Sequence, residues 1–475
     1  MIRVRRSRLV KVSGISPYRN CKIGGPGTNF LNTAVEPWVA VNPLPTKSGK
    51  PHLLGIWQQD RWSNGGARGL VAAFSRDGGR TWRRRTLPFS QCASLNVKFE
   101  RASDPNVSFG PDGKAYASAL SLSKSPNGTD VSQSTITAAT SSDGGQTWKN
   151  LRFIQSDKGP WILNDKELIT ADPTRAGTAY IVWNRGTATT VATIFSKTTD
   201  GGRSWSKPKV IFPPGEGNQT FGNQIIVDAR TGTLYNFFNW TKGTSSKNPE
   251  NWITVQTSKD GGQAWSKGRI IAPFDSVAVI DPVTGKTIRG GGDMMPEAAI
   301  HQRTGELFVV WQSARFNGGK YDEIALTRST DGGITWSSPI RVNPPSGTAA
   351  FTPMVRINYA GVVGVTYYRI VSNRRSPKTL PVDYWFACST DHGRTFRPPL
   401  LITKPFNLLR APEATSPFSP GLFIGDYQGL ETFGNDFHLF FSKVNRPSAK
   451  DPVGVYATVV KVSQIRWPFW KRPVK

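Results

Sequence analysis

The sequence predicts an all-β fold, a single β-propeller made of four-stranded antiparallel blades. Two observations predict it: a turn string that recurs six times, and two β-rich runs that precede each copy of the string. The chain has 475 residues, more than the usual domain of about 100–200 residues. A repeat architecture accounts for that length without a second domain, so residues 1–475 are interpreted as one domain.

The recurring string is expected to join the third and fourth strands of each blade. It reads SRDGGRTW, SSDGGQTW, TTDGGRSW, SKDGGQAW, STDGGITW and STDHGRTF. The glycines supply the positive φ angles of a tight turn, and the Asp and hydroxyl side chains can bond the amides of the turn. A structural role is therefore assigned to Asp77, Asp143, Asp200, Asp260, Asp331 and Asp391.

The strand pattern continues beyond the last turn string, where a seventh pair of β-rich runs follows. Repeated units of four short antiparallel strands are typical of propeller blades. We therefore expect seven blades, with six blades and a terminal strand extension as the alternative. The seventh unit shows three clear strands, so the basic N-terminal segment 1–35 is expected to close the last blade and remove exposed sheet edges.

The charge balance indicates the kind of partner. The chain carries 60 Lys and Arg against 32 Asp and Glu, a formal net charge of +28. Basic residues cluster in segments 3–11 and 80–85 and in a C-terminal tail, 463–475. Such a surface attracts a glycan or another anionic polymer, and the charge does not exclude nucleic acid. Self-assembly through the two basic ends is a further alternative.

Cysteine usage and the N-terminus bear on the compartment. Three cysteines exclude a disulfide scaffold and a CxxC zinc site. We expect three free thiols, with a Cys21–Cys92 pair as the alternative and Cys388 as a buried thiol. No apolar stretch follows the basic N-terminus, so no ordinary signal peptide is expected, which predicts a cytoplasmic protein or one exported by another route. No apolar run reaches about 18 residues, so no membrane span is expected.

The turn string resembles the Asp box of the sialidase-like, BNR-repeat propeller proteins. The resemblance covers residues 75–396 through the strings and about 36–462 through the strand pattern. It implies a propeller with exo-sialidase-type glycoside hydrolysis as one activity among several, because the box occurs in enzymes and in binding proteins. The chain departs from sialidases in blade number. It also has Val35 where their first-strand arginine stands, and Asp60 is the one carboxylate between that strand and the first box.

Candidate site residues come from the strand ends that meet near the axis of a propeller. The first-strand runs of the seven predicted blades can be aligned on the strand period of two residues. One equivalent position in each blade is then occupied by Trp38, Asn106, Glu167, Gln224, Glu297, Met354 and Tyr427. Paired carboxylates can act on a glycosidic bond, which makes the catalytic candidates Glu297, Tyr427, Glu167 and Asp104. The resemblance implies a tyrosine nucleophile backed by a glutamate, a role for Tyr427 with Glu297 or Glu167.

Polar side chains at the same strand ends are candidates for ligand binding. Arginine binds carboxylates through two parallel hydrogen bonds. The ligand-binding candidates are Arg61, Arg185, Arg315, Arg369, Glu36, Asp426 and Gln224. No cofactor is required by this chemistry, although an axial ring of carboxylates can also hold Ca²⁺.

Three functions remain open from the sequence. The first is an enzyme of the glycoside hydrolase type that acts on glycans. The second is a non-catalytic propeller that recognises an anionic polymer or a protein partner. The third is a structural component of an assembly.

Overall fold

The computed structural model describes residues 2–46, 48–94, 96–128, 130–289, 295–371, 376–415 and 420–464. These residues form 33 β-strands and two short 3-10 helices, Arg315–Asn317 and Leu408–Arg410. They contain no α-helix, and so no helix that could cross a membrane. The all-β prediction is confirmed. Of the predicted basic tail 463–475, residues 465–475 lie outside the described part.

Two short strands open the chain, β1 (Ile2–Arg6) and β2 (Val10–Lys11). Groups of four strands follow, and we call each group a unit. Unit 1 contains β3 (Asn29–Asn42), β4 (His52–Trp62), β5 (Ala67–Ser75) and β6 (Arg83–Thr86). Unit 2 contains β7 (Arg101–Phe109), β8 (Ala115–Lys124), β9 (Val131–Ser141) and β10 (Lys149–Lys158). Unit 3 contains β11 (Leu163–Ala171), β12 (Ala179–Gly186), β13 (Val191–Thr198) and β14 (Lys209–Phe212).

The second half of the chain repeats the pattern. Unit 4 contains β15 (Gln219–Val227), β16 (Leu234–Lys242), β17 (Glu250–Ser258) and β18 (Arg269–Pro273). After β19 (Val279–Ile280) and β20 (Thr287–Arg289), unit 5 contains β21 (Glu297–Ile300), β22 (Leu307–Ser313), β23 (Glu323–Ser329) and β24 (Ile340–Arg341). Unit 6 contains β25 (Ala350–Ile357), β26 (Val363–Ile370), β27 (Pro381–Ser389) and β28 (Leu400–Asn407). After β29 (Glu413–Ala414) and β30 (Gly421–Phe423), unit 7 contains β31 (Gly429–Phe433), β32 (Asp436–Val444) and β33 (Val453–Gln464).

Consecutive strands of a unit pair antiparallel, and β1 and β2 pair antiparallel with β33. Segments from both ends of the described chain therefore share one sheet. The first strand of each unit contacts the first strand of the next, and β31 contacts β3. Residues of these first strands surround a central cavity of about 450 Å³. Strands β19, β20, β29 and β30 form a separate small sheet.

The second strand of each unit is apolar because neighbouring units cover both of its faces. Trp57, Trp183 and Trp311 occupy equivalent places on β4, β12 and β22 and are fully buried. Phe440 of unit 7 packs against Trp57, with ring centroids 6.2 Å apart. A strand buried on both faces shows an apolar run rather than strict alternation. In contrast, all four residues of the outer strand β6 are exposed.

One cysteine prediction is wrong: Cys21 and Cys92 form a disulfide, while Cys388 is free and buried. The two cysteines lie 71 residues apart in sequence. The N-terminal segment brings them together because it runs along unit 1. There Tyr18 Oη donates to the Leu70 carbonyl at 2.6 Å and Ser16 Oγ donates to Asp60 Oδ2 at 2.6 Å.

The six repeated turns share one hydrogen-bond pattern around the Asp carboxylate. In the turn of Asp143, the amides of Gln146 and Thr147 donate to Oδ1 at 2.9 Å, and Thr147 Oγ1 donates to Oδ2 at 2.6 Å. The amides three and four residues after the Asp donate in the same way in the other five turns. Burial alone would raise the pKa of Asp143, but the hydrogen bonds from Thr147, Ser141 and Gln146 lower it to about 2. The carboxylate is therefore ionised whenever the turn is formed.

Replacing Asp143 tests how much one turn stabilises the fold. Asp143→Ala leaves two turn amides and two hydroxyls, those of Ser141 and Thr147, without their acceptor, and we expect the free energy of unfolding to fall by about 2 kcal/mol. Urea unfolding measures this. The control is Asp112→Ala, whose carboxylate accepts one amide bond, from Lys114 at 3.2 Å; a change below about 0.5 kcal/mol is expected there. Equal losses in both variants would contradict the structural role of the repeated turn.

Candidate functional site

The first strands of five units carry the same local distortion, a β-bulge. Two residues of the first strand oppose one residue of the second, with register shifts at equivalent places. The first residue of each bulge has a positive φ: Glu36 (56°), Asp104 (50°), Lys166 (53°), Gly222 (63°) and Thr352 (52°). Only glycine adopts this region without strain. Four non-glycine residues are thus held against their backbone preference, a condition that concentrates at functional sites.

Three of these bulge residues meet at the axis. Lys166 Nζ donates to Asp104 Oδ1 at 3.0 Å and to Asp426 Oδ2, and it lies 3.6 Å from Glu36 Oε1. Asp426 precedes β31, so the group joins units 1, 2 and 3 with the start of unit 7. All four side chains are buried. We call Glu36, Asp104, Lys166 and Asp426 the axial cluster.

Burial and charge set the protonation of the axial cluster. Burial raises the pKa of Glu36 to about 8, with Lys166 opposing the shift and Asp104 and Asp426 adding to it. Burial alone would lower the pKa of Lys166, but the carboxylates of Asp104, Asp426 and Glu36 together raise it well above its ordinary value. The cluster therefore combines a permanent ammonium with a carboxyl group that titrates near neutral pH.

Glu167, the second residue of the unit 3 bulge, lies beside the axial cluster. Its side chain is buried, and neither carboxyl oxygen has a hydrogen-bond partner among the described residues. Burial, and then the negative charge of Asp104, raise the pKa of Glu167 well above its ordinary value. The raised pKa favours the protonated carboxylic acid, which is the state that a general acid needs.

Tyr427 lies between the axial cluster and the cavity. Its Oη donates to the Pro105 carbonyl at 3.1 Å, and its ring meets that of Trp38 edge to face with centroids 5.5 Å apart. Burial, followed by the charges of Glu36, Asp104 and other nearby carboxylates, raises the pKa of Tyr427 well above its ordinary value. The phenol is therefore a neutral hydrogen-bond donor in this state.

The bulge changes one predicted alignment. Leu168, not Glu167, stands opposite Val182 in the ladder, the position that corresponds to Trp38 opposite Ile56 and Asn106 opposite Ser118. The reason is a shift of one residue in unit 3, where Lys166 rather than Asp165 is the first residue of the bulge, as Glu36 and Asp104 are in units 1 and 2.

Glu297 belongs to a different group of side chains. Gln224 Nε2 donates to Glu297 Oε2 at 3.3 Å, and Gln224 Oε1 accepts from the Ala298 amide at 2.7 Å. Burial raises the pKa of Glu297 to about 7, with Arg356 and Gln224 opposing the shift. Arg356 itself lies over the Trp38 ring at 5.6 Å. The structure therefore places Glu297 with Gln224 and Arg356, whereas Tyr427 and Glu167 lie by the axial cluster.

Arg61 is linked to the axial cluster through one glutamine. Its Nη1 donates to Gln58 Oε1 at 2.7 Å, and Gln58 Nε2 donates to Glu36 Oε2. The Arg61 guanidinium also lies over the Phe423 ring, 4.3 Å from its centroid.

The other three predicted arginines each pair with an aspartate. The pairs are Arg185 with Asp157 at 2.9 Å, Arg315 with Asp275 at 3.1 Å, and Arg369 with Asp383 at 2.9 Å. Asp157 and Asp275 come from the preceding unit, so these two pairs join neighbouring units. These guanidinium groups are already bound to carboxylates of the chain itself.

The sequence argument did not identify Lys166, Gln58 or Arg356. The strings give no direct signal for Lys166, because DKELIT aligned with EPWVAV and DPNVSF places Asp165, not Lys166, at the position of Glu36 and Asp104. A search for carboxylates and arginines passed over it. Gln58 and Arg356 act through contacts between units, and such contacts have no local pattern in the sequence.

The carboxylates of the axial cluster could hold a metal ion, since ligand oxygens of Glu36, Asp104 and Asp426 lie within 4.8 Å of one another. Hard cations such as Ca²⁺ prefer oxygen ligands of this kind. The ammonium of Lys166 contacts the same three carboxylates. A metal ion and Lys166 therefore compete for one place.

Comparison with known proteins leaves the family of this chain open. No family model and no curated protein matches the sequence. Among solved structures, the α-L-arabinanase of Penicillium chrysogenum complexed with arabinobiose is 12% identical with a TM-score of 0.48, covering 95% of this chain and 98% of that one. A protein of unknown function from Dyadobacter fermentans is 15% identical with a TM-score of 0.48, covering 97% and 99%.

The Hadza microbial sialidase Hz136 is 15% identical with a TM-score of 0.46, covering 89% of this chain and 75% of that one. At these scores none of the three structures bears on the activity of this chain.

Replacing Glu297 tests its raised pKa. The unfolded chain ionises this carboxyl at its ordinary pKa, whereas the folded protein keeps it protonated up to about pH 7. Its stabilising proton is therefore present at low pH and lost as the pH rises through 7. Glu297→Gln is never ionised, so the melting temperature of the variant minus that of the native protein should increase between about pH 5 and about pH 8. A difference that stays constant over this pH range would contradict the shift.

Replacing Lys166 tests the charge balance at the axis. Lys166→Met leaves three buried carboxylates without their cation, and we expect a loss of about 3 kcal/mol or more in the free energy of unfolding. Added Ca²⁺ should raise the melting temperature of this variant but not that of the native protein. The control is Lys286→Met, which breaks a pair with Glu413 in which both side chains are nearly half exposed. Stabilisation of the native protein by Ca²⁺ would show that Lys166 does not occupy the cation position.

Proposed function

We propose that the chain is a single seven-bladed propeller of the Asp-box type, in which units 1 to 7 are the blades. The contacts between successive first strands, including that of β31 with β3, support a closed ring. The pairing of β1 and β2 with β33 supports closure of the last blade by the N-terminal segment. The shared hydrogen-bond pattern of the six turns supports the Asp-box assignment.

We further propose that the protein is a glycoside hydrolase whose reaction takes place at the axial cluster. The observation that carries this proposal is Glu167, a buried carboxyl group of raised pKa without a hydrogen-bond partner among the described residues. Hydrolysis of a glycosidic bond needs an acid that protonates the leaving oxygen and a second carboxyl group that remains ionised. Glu167, with its raised pKa, and Asp104, which contacts the Lys166 ammonium, are the two groups proposed for these roles.

Asp104 is the ionised partner in this proposal, because the Lys166 ammonium stabilises its negative charge at 3.0 Å. Tyr427 donates a hydrogen bond to the carbonyl of Pro105, the next residue, and so positions the segment that carries Asp104. Arg61 is the ligand-binding arginine connected to the cluster through Gln58. No cofactor is needed, since the chain supplies both the acid and the carboxylate.

A non-catalytic binding function is the second candidate, and a specific observation favours it. Lys166 compensates the axial carboxylates, and the arginine pairs of Arg185, Arg315 and Arg369 are already formed. A site whose charges are already paired can hold a ligand through shape and hydrogen bonds without catalysing a reaction. An anionic polymer or a protein partner would then bind to the propeller without being cleaved.

Hydrolysis of a panel of fluorogenic glycosides, including the sialic acid derivative, tests the first candidate. Glu167→Gln should lower turnover at least about 100-fold on substrates with a poor leaving group. It should retain far more activity on dinitrophenyl glycosides, whose leaving group needs no proton. Asp104→Asn should lower turnover on both substrate types, and the exposed control Glu413→Gln should leave both unchanged.

The outcomes separate the two candidates. Equal loss on both substrate types in Glu167→Gln would contradict its role as the acid. If the native protein turns over no glycoside but binds a glycan in an Arg61-dependent manner on an array, the binding function replaces the enzymatic one. If the native protein shows no turnover and no such binding, the assignment of a glycan site to the axial cluster is overturned.

A further inference from the structure

Members of the two N-terminal basic clusters of the sequence, Arg8, Lys11 and Arg80, line one groove of the fold. Strand β1 is the outer strand of unit 7, and β6 is the outer strand of unit 1. Arg84 Nη1 donates to the Ile15 carbonyl at 3.2 Å, which ties the basic strand β6 to the N-terminal segment. The exposed basic side chains on the two strands are Arg3, Arg5, Arg6, Arg83, Arg84 and Arg85. We call this junction of units 7 and 1 the seam.

A groove of about 1100 Å³ opens at the seam. Its basic side chains are Arg8, Lys11, Lys50, Arg80 and Lys461. Asp77 and Asp436 are the two acidic residues that face them. The groove therefore carries an excess of positive charge, and its two walls come from the two ends of the chain and from unit 1.

Carboxylates pair with two of the five groove cations, because Lys11 lies against Asp451 and Lys461 against Asp436. Asp77 accepts hydrogen bonds within its own turn, including one from Thr81 Oγ1 at 2.7 Å. Asp436 lies 3.7 Å from Lys461. Arg8 and Arg80 are exposed on opposite walls, and neither forms an ion pair with a described residue. These two guanidinium groups are available to an anion.

The floor of the groove is aromatic. Trp82 is half-buried, packs on Phe440 with ring centroids 5.4 Å apart, and donates from Nε1 to the Gly79 carbonyl at 3.0 Å. His438 lines the wall, is 5% exposed, and has no hydrogen-bond partner for either ring nitrogen among the described residues. Buried polar groups are normally satisfied, so an unsatisfied donor and acceptor beside a groove indicate capacity for polar ligand groups.

We propose that the seam groove binds an anionic polysaccharide, a chain of sugars that carry carboxylate or sulfate groups. Arginines on both walls suit the anionic groups, and an aromatic floor suits the apolar face of a sugar ring. This site is separate from the axial cluster and does not depend on the proposed hydrolase activity. The Cys21–Cys92 disulfide, which fixes the N-terminal segment at unit 1, favours a polysaccharide over nucleic acid, because disulfides persist in oxidising compartments outside the cytosol.

Binding of a fluorescent oligogalacturonate to the full chain tests the proposal. The matched probe is the same oligosaccharide with its carboxylates methyl-esterified, and a short DNA duplex is the third probe. The seam variant is Arg8→Glu/Arg80→Glu. The control variant, Arg269→Glu/Lys404→Glu, changes the net charge by the same amount at exposed positions of units 4 and 6.

We expect the native protein to bind the oligogalacturonate, to bind it more weakly as salt rises, and to bind the methyl ester poorly. The seam variant should lose about tenfold or more in affinity, whereas the control variant should stay within about threefold of the native protein. Equal losses of affinity in the seam and control variants would show that only the net charge of the protein matters, and would overturn the proposed site. If the native protein does not bind the oligogalacturonate, or if DNA binds more tightly at the seam, the proposal that the ligand is a polysaccharide is overturned.

Discussion

The buried ammonium of Lys166 is the interaction on which the centre of the fold depends. Three carboxylates from separate parts of the chain approach one another at the axis, where water does not screen their repulsion. Lys166 contacts all of them and thereby connects the first three units to the segment before unit 7. A buried ion group of this kind adds less to stability than to specificity, because any other arrangement of the units would leave a charge unpaired.

The axial cluster exists because the first strands bulge at equivalent places. A regular strand would turn alternate side chains into the packing between units, whereas the bulge turns one extra side chain toward the axis. Proline follows Glu36, Asp104 and Thr352, and its missing N–H costs nothing where the ladder is already interrupted. At Gly425 the chain passes so close to unit 1 that a Cβ would lie 2.7 Å from the Cα of Glu36.

Local chemistry could be predicted from the sequence, and long-range pairing could not. Each repeated turn is specified within eight residues, so its strands and its Asp roles followed from spacing alone. Glu36 and Asp104 were identified for the same reason, since an acidic residue before proline opens each predicted run, EPWVAV and DPNVSF. The partners of Arg185 and Arg315 come from the preceding unit, and Cys92 lies far from Cys21 in sequence, so these contacts depend on how the units pack.

The positive charge of the chain is placed away from the axis. At the axis the Lys166 ammonium contacts the carboxyl groups of Glu36, Asp104 and Asp426, and burial raises the pKa of Glu36 to about 8, so little net field leaves the cluster. At the seam the arginines of β1 and β6 are exposed and act over distance. Salt screens exposed charges beyond about 8 Å but affects buried pairs little. The two sites therefore respond differently to ionic strength. Attraction of a polyanion to the seam weakens as salt rises, whereas salt has little effect on the protonation of Glu167 or on any chemistry that it performs.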